Sequence, residues 1–123
     1  MRQENVQFFT EKEEEFASLL IGIGMQKTVA TVLVFLISVP EATSREIERG
    51  TDLRQPEVSI AAKYLAEQGW ITVEEIASRG KGRRVKKYSL GMPAREIMAA
   101  LEKAKKDEVK AQLVRIRKMK DYL

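Results

Sequence analysis

The stretch RGKGRRVKK, Arg79 to Lys87, holds six basic side chains in nine residues. Arg79, Lys81, Arg83, Arg84, Lys86 and Lys87 share one short segment, and the chemistry that clustering suits is contact with a polyanion. Each cation that meets a phosphate of duplex DNA releases condensed counterions, so affinity rises steeply with their number. Gly80 and Gly82 let the same segment approach another backbone closely. The plainer reading is a solvated basic turn, since charge runs usually face water. The segment is not a phosphate-binding P-loop, because Lys81 lacks the required glycine spacing and a following Ser or Thr.

A second set of polar residues opens the stretch DLRQPEVSIAAKYLAEQGW, Asp52 to Trp70. Arg54, Gln55 and Lys63 can read or hold nucleic acid: Arg bridges guanine or grips phosphate, and Gln pairs with adenine. Ser59 can bond a phosphate. Ile60 can touch a thymine methyl, or pack on a neighbouring segment; single exposed apolar residues are common. Pro56 fits a first helical turn, where its missing N–H costs little. Glu57 is a first-turn carboxylate that suits the helix dipole. Arg54 stands where a Ser, Thr, Asp or Asn cap is usual, which leaves backbone N–H groups that a phosphate could satisfy.

Other chemistries are excluded or unsupported. The 123 residues contain no cysteine and no histidine. Disulfides, thiol nucleophiles, the usual zinc sites and the commonest general base are therefore ruled out. Scattered carboxylates, lysines and tyrosines form no catalytic set, so no enzymatic role, cofactor or metal is expected. Adjacent Glu13, Glu14 and Glu15 could suggest a carboxylate pair, but neighbours in a helix point in different directions. Charge is uneven: residues 1–50 carry 5 basic and 8 acidic side chains, residues 51–123 carry 17 and 10. A basic half suits a polyanionic partner.

The elements that must position these residues follow from capping and periodicity. Thr10 with Glu13 makes a capping box, and Phe16, Leu19, Leu20 and Ile23 recur at helical spacing up to Gly24. The apolar run TVATVLVFLISV, Thr28 to Val39, is too short to cross a bilayer and predicts a buried helix over about Lys27–Val39, ending at Pro40. Thr43 with Glu46 caps a short third helix that Gly50 is expected to break. Leu53 plugs the turn after it. A fourth helix from about Gln55 to Gln68 buries Val58, Ala61, Ala62 and Leu65, exposes Pro56, Ser59, Ile60, Lys63 and Glu67, and stops at Gly69. Residues 70–76 and 85–90 read as two strands of a hairpin with a basic tip. Pro93 suits the first turn of a last helix that, fully formed, spans roughly 45 Å. The N-terminus is polar and acidic, without a signal-peptide pattern.

The expected fold is therefore mostly α with a small β-hairpin. A short helix, a tight turn and a second helix make a helix-turn-helix, and the hairpin that follows is a wing. Residues 24–75, GMQKTVATVLVFLISVPEATSREIERGTDLRQPEVSIAAKYLAEQGWITVEE, followed by GKGRRVKKYSL, resemble the winged-helix regulators of the MarR/TrmB type, most of all small archaeal-type ones. Ile47, Leu53, Val58, Ser59, Leu65, Gly69 and Trp70 fall where that family places core or turn residues. The resemblance implies a homodimer whose recognition helices enter successive major grooves of double-stranded DNA, with half-sites about 34–36 Å apart. It also implies a wing on phosphates or the minor groove. The sequence departs from the family at Arg54, where a Ser or Thr cap is common, and at Ile60, where a basic residue is common.

On this reading residues 1–24 form an N-terminal flanking helix, 25–91 the winged helix-turn-helix, and 92–123 a C-terminal dimerisation helix. Phe16 and Leu20, with Leu101, Val109, Leu113 and Ile116, are the candidate dimerisation residues. The alternative is a last helix that folds back within one chain. The polar gap Lys105–Glu108 argues against one continuous coiled-coil seam. A cytoplasmic transcriptional regulator is the expectation. The competing reading is a winged-helix protein-interaction module of the transcription machinery with no operator of its own. The sequence names neither the operator nor a small-molecule effector.

Overall fold

The computed structural model describes residues 9–77 and 84–123. The elements run α1 (Glu11–Gly22), α2 (Lys27–Ser38), β1 (Glu41–Thr43), α3 (Ser44–Thr51), α4 (Gln55–Glu67), β2 (Ile71–Ala77), β3 (Arg84–Leu90) and α5 (Ala94–Lys120). They fall into two compact units, Met1–Met92 and Pro93–Leu123.

In the first unit, α1 starts at the expected capping box: Glu13 N–H donates to Thr10 Oγ1 at 3.2 Å, and Thr10 N–H donates to Glu13 Oε1 at 2.8 Å. Gly24, at φ 108°, closes it in the left-handed conformation that glycine adopts without a Cβ penalty. Met25 N–H then reaches Leu20 O at 3.1 Å and Gly24 N–H reaches Ile21 O at 2.9 Å, the paired bonds of a Schellman ending. Helix α4 ends the same way at Gly69, φ 83°.

Helix α2 is apolar nearly all round, so it belongs at the centre. Val29, Ala30, Val32, Leu33, Val34, Phe35 and Leu36 are all buried, and α1, α3 and α4 pack on it. Ile47 of α3 and Val58, Ala61, Ala62 and Leu65 of α4 complete this core. Each fully buried Leu, Ile or Val there contributes on the order of 1.5–3 kcal/mol.

Gly50 does not break α3. It lies inside the helix, buried, and an added Cβ would sit 2.1 Å from a Phe35 ring carbon. The glycine is a close-packing point between α3 and α2. The helix stops instead at Asp52, in the left-handed region at φ 61°, which Asp tolerates better than most residues. Thr51 Oγ1 helps by accepting from Leu53 N–H at 3.3 Å, and Leu53 is half-buried in the turn.

The sheet has three strands, not two, in the order β1-β3-β2, all antiparallel. Strand β1 is three residues long, too short to show a period of two in sequence, and pairs Ala42 with Tyr88. Trp70 precedes β2 and is buried, although the sequence placed it in the strand.

In the second unit, Pro93 lies just before α5, capping it through its carbonyl to Glu96 N–H at 2.9 Å. The helix runs 27 residues, about 40 Å, with Ile97 as its buried residue. Ion pairs span its polar middle, Lys103–Asp107 at 3.2 Å, Lys105–Glu108 at 3.0 Å and Lys106–Glu102 at 3.2 Å. Exposed pairs of this spacing add only a few tenths of a kcal/mol each. Among the described residues no helix is long and apolar enough to cross a membrane, and no group of three acidic side chains is placed to hold a metal.

Candidate nucleic-acid interface

Helix α4 presents the face that its spacing implies. Val58, Ala61, Ala62 and Leu65 point inward, while Arg54, Gln55, Pro56, Ile60 and Lys63 are exposed and Ser59 is half-buried. Ile60 is 69% exposed, so of its two candidate roles packing on a neighbour within the chain is not the one observed. Tyr64, one turn on and 43% exposed, joins it, a residue that the sequence reading passed over. The signal was present, since Tyr64 lies four residues from Ile60 and off the buried stripe.

The start of α4 differs from the expected bare end. Arg54 N–H donates to Glu57 Oε1 at 2.9 Å, so Glu57 supplies one half of a capping box. An arginine side chain has no acceptor, so the other half is absent. The Gln55 and Glu57 N–H groups receive no side-chain cap. Pro56 has none to satisfy.

Strand register sorts the basic residues of the wing. Side chains alternate across a strand, so Arg84, Lys86 and Tyr88 share one face, and Val85, Lys87 and Ser89 share the other. Tyr88 is buried, which makes the first of these the face that packs on the body. Lys87 lies between acids: it is opposite Glu74 on β2 and forms an ion pair with Glu41 at 3.1 Å. Lys86 is opposite Glu75 yet forms no ion pair among the described residues. The two lysines are therefore not equivalent, although in sequence they are adjacent and alike. Arg79, Lys81 and Arg83 lie outside the described residues.

Lys86 and Gln55 meet at one place. They line a groove of about 580 Å³ together with Ser44, Arg45 and Glu48 of α3 and Tyr88 of β3. Arg45 was missed by sequence reasoning. Its signal was its position opposite Ile47, the buried anchor of α3. Lys63 is not among the groove residues.

The candidate dimerisation residues divide. Leu20 is buried within the single chain, and Phe16 and Leu101 are half-buried. Val109, Leu113 and Ile116 are 52%, 55% and 45% exposed.

A short helix, a three-residue turn, a second helix with an open polar face and a paired wing define the class: this is a winged helix-turn-helix. The model of the MarR family matches residues 23–84, and the chain belongs to that family of transcriptional regulators. Among solved structures, a possible transcriptional regulator from Methanosarcina mazei is 16% identical, with a TM-score of 0.60 over 77% of this chain and 82% of its own. TrmBL2, an archaeal chromatin protein, is 18% identical, with a TM-score of 0.58 over 81% of this chain but only 37% of its own. A MarR family regulator from Neisseria meningitidis is 22% identical, with a TM-score of 0.50 over 81% and 68%. At these identities the likeness is one of fold. Among curated proteins none matches.

Proposed function

We propose that this protein is a non-enzymatic transcriptional regulator that binds double-stranded DNA in the cytoplasm as a homodimer. Helix α4 enters the major groove, and the wing lies on phosphates or in the minor groove. The observation that carries this is the exposed Arg54–Lys63 face of α4 flanked by Arg45 on α3 and Lys86 on β3, which form no ion pair among the described residues. Phosphate contacts from those flanks fix the register, and Arg54, Gln55 and Lys63 read bases. The exposed Val109, Leu113 and Ile116 follow the spacing of one helix face and supply the dimer seam. On α1 Leu19 is exposed, as is Ile23 just after it, whereas Leu20 is buried. The test is titration into duplexes selected from a random pool, at two salt concentrations. An enriched palindrome with affinity falling steeply in salt is expected; no binding to any duplex removes the proposal.

One observation favours the protein-interaction reading. Residues Gln55–Glu67 carry Glu57 and Glu67 against a single Lys63, so the helix itself is net −1. Its exposed Ile60 and Tyr64 would suit a protein groove. A selection that enriches no duplex, joined with binding to a polymerase component that Ile60→Ala abolishes, would decide for that reading.

A further inference from the structure

The groove between α3, the start of α4 and β3 has the chemistry of an anion site. Arg45 and Lys86 line it and neither forms an ion pair among the described residues. Glu48, the acid among the described lining residues, accepts from Ser44 Oγ at 3.3 Å. Among the described lining residues two cations stand against one carboxylate. Tyr88 forms part of the same wall, and the residue is only 3% exposed. Its hydroxyl has no hydrogen-bond partner among the described residues, which is unusual, since buried tyrosine hydroxyls nearly always find one. Burial also pushes the phenol above its ordinary value, so it remains a donor at neutral pH. An unmet O–H donor and two unpaired cations along one groove match an oxygen-rich anion.

The helix ends do not explain the site. At the start of α3 the capping box serves the Thr43 and Glu46 N–H groups, Glu46 N–H donating to Thr43 Oγ1 at 3.2 Å. The size of the groove, about 580 Å³ and open to solvent, exceeds what an isolated ion fills and suits a chain segment passing through it. Gln55, a candidate base reader, is on the same rim.

We propose that this groove clamps one backbone phosphate of the DNA, with Arg45 and Lys86 gripping it from two sides and the Tyr88 hydroxyl donating from the wall. The clamp rests on the DNA-binding reading above and extends it to residues outside the recognition helix. It sets the register in which Gln55 meets a base edge. It also makes Lys86, not Lys87, the gripping lysine of β3, because Lys87 is engaged by Glu41 on the other sheet face.

The test is affinity of the full chain for a selected duplex and for unrelated duplexes across a salt series. Arg45→Ala and Lys86→Ala should each weaken binding to all sequences alike and lower the log–log salt slope by about one. Arg45→Lys should keep the slope. Tyr88→Phe should weaken binding about two- to tenfold with the slope unchanged. Arg45 and Lys86 are exposed, so loss of fold does not confound the first pair. A wild-type slope retained by both alanine variants overturns the clamp while leaving the DNA reading intact. If wild type binds no duplex, the DNA reading fails, and titration with inorganic phosphate followed by NMR decides the site. Saturable shifts at Arg45 and Tyr88 would then support an anion site while overturning DNA as its source; no shifts would overturn the site as well.

Discussion

The two units of the chain are organised on opposite principles. The first, Met1–Met92, has 13 basic and 13 acidic side chains and is formally neutral, whereas Pro93–Leu123 has 9 and 5, the whole net charge of +4. The first is held by a core of fully buried Leu, Ile and Val. The second has one buried residue, Ile97, and a stripe of exposed apolar side chains. A strongly basic sequence half is thus no measure of a basic DNA-binding surface. In the first unit the local arrangement matters instead: among the described residues Arg45 and Lys86 form no ion pair, while Lys87 pairs with Glu41. What keeps α5 helical is its composition, its ion pairs, and Arg117, Lys118 and Lys120 in the last turn, where cations favour the dipole.

The largest expected effect separates the units by what a leucine does in each. Leu33→Ala should cost about 2–5 kcal/mol, because it empties a site at the centre of α2. Leu113→Ala, half exposed, should stay within about 0.5 kcal/mol in dilute solution. If Leu113 lies in a dimer seam, its cost should grow with protein concentration. Urea unfolding at two concentrations separates these cases. A large, concentration-independent cost at Leu113 would break the contrast.

Next in size is Gly50→Ala. Overpacking a Cβ against the Phe35 ring should destabilise the first unit by about 1–3 kcal/mol, where a flexible helix stop would have gained from alanine. An increase in urea midpoint would show that the ring moves aside freely. The substitution also marks what sequence could and could not supply. Capping boxes, the stops at Gly24 and Gly69, and the inward face of α4 depend on neighbours three or four residues away, so they were legible. Gly50 was misread because its reason is Phe35, fifteen positions upstream and on another helix. Strand β1 escaped because three residues show no period. Arg45 escaped because its importance comes from Lys86 and Tyr88, which only the folded sheet brings beside it. The two wing lysines looked alike because register, which separates them, is a property of pairing.

A smaller effect tests whether the start of α4 is tuned for a ligand or for stability. Arg54→Ser adds an acceptor opposite Glu57 and completes the capping box that Arg54 leaves half made. The free protein should gain about 0.5–1 kcal/mol while DNA affinity falls. Thermal unfolding and a binding titration on the same variant check both signs. Tighter DNA binding by the serine variant would mean that Arg54 serves neither bases nor phosphates.

The smallest effect concerns a tie inside the neutral unit. Ser38 Oγ donates to the Glu13 carboxylate, joining the end of α2 to the first turn of α1, and Thr10 N–H donates to the same group. These bonds, the Ser38 bond foremost, hold the Glu13 carboxyl below its ordinary value. A carboxyl whose folded value lies below its unfolded value stabilises fully above the unfolded value. That contribution is lost as pH falls through the folded one. Glu13→Gln keeps an oxygen acceptor but removes the titration. The variant should be slightly less stable than wild type at neutral pH, and the gap should close in acid. Melting temperatures at about pH 7 and about pH 3 measure that gap, and a gap that widens in acid would assign the wrong sign to the tie.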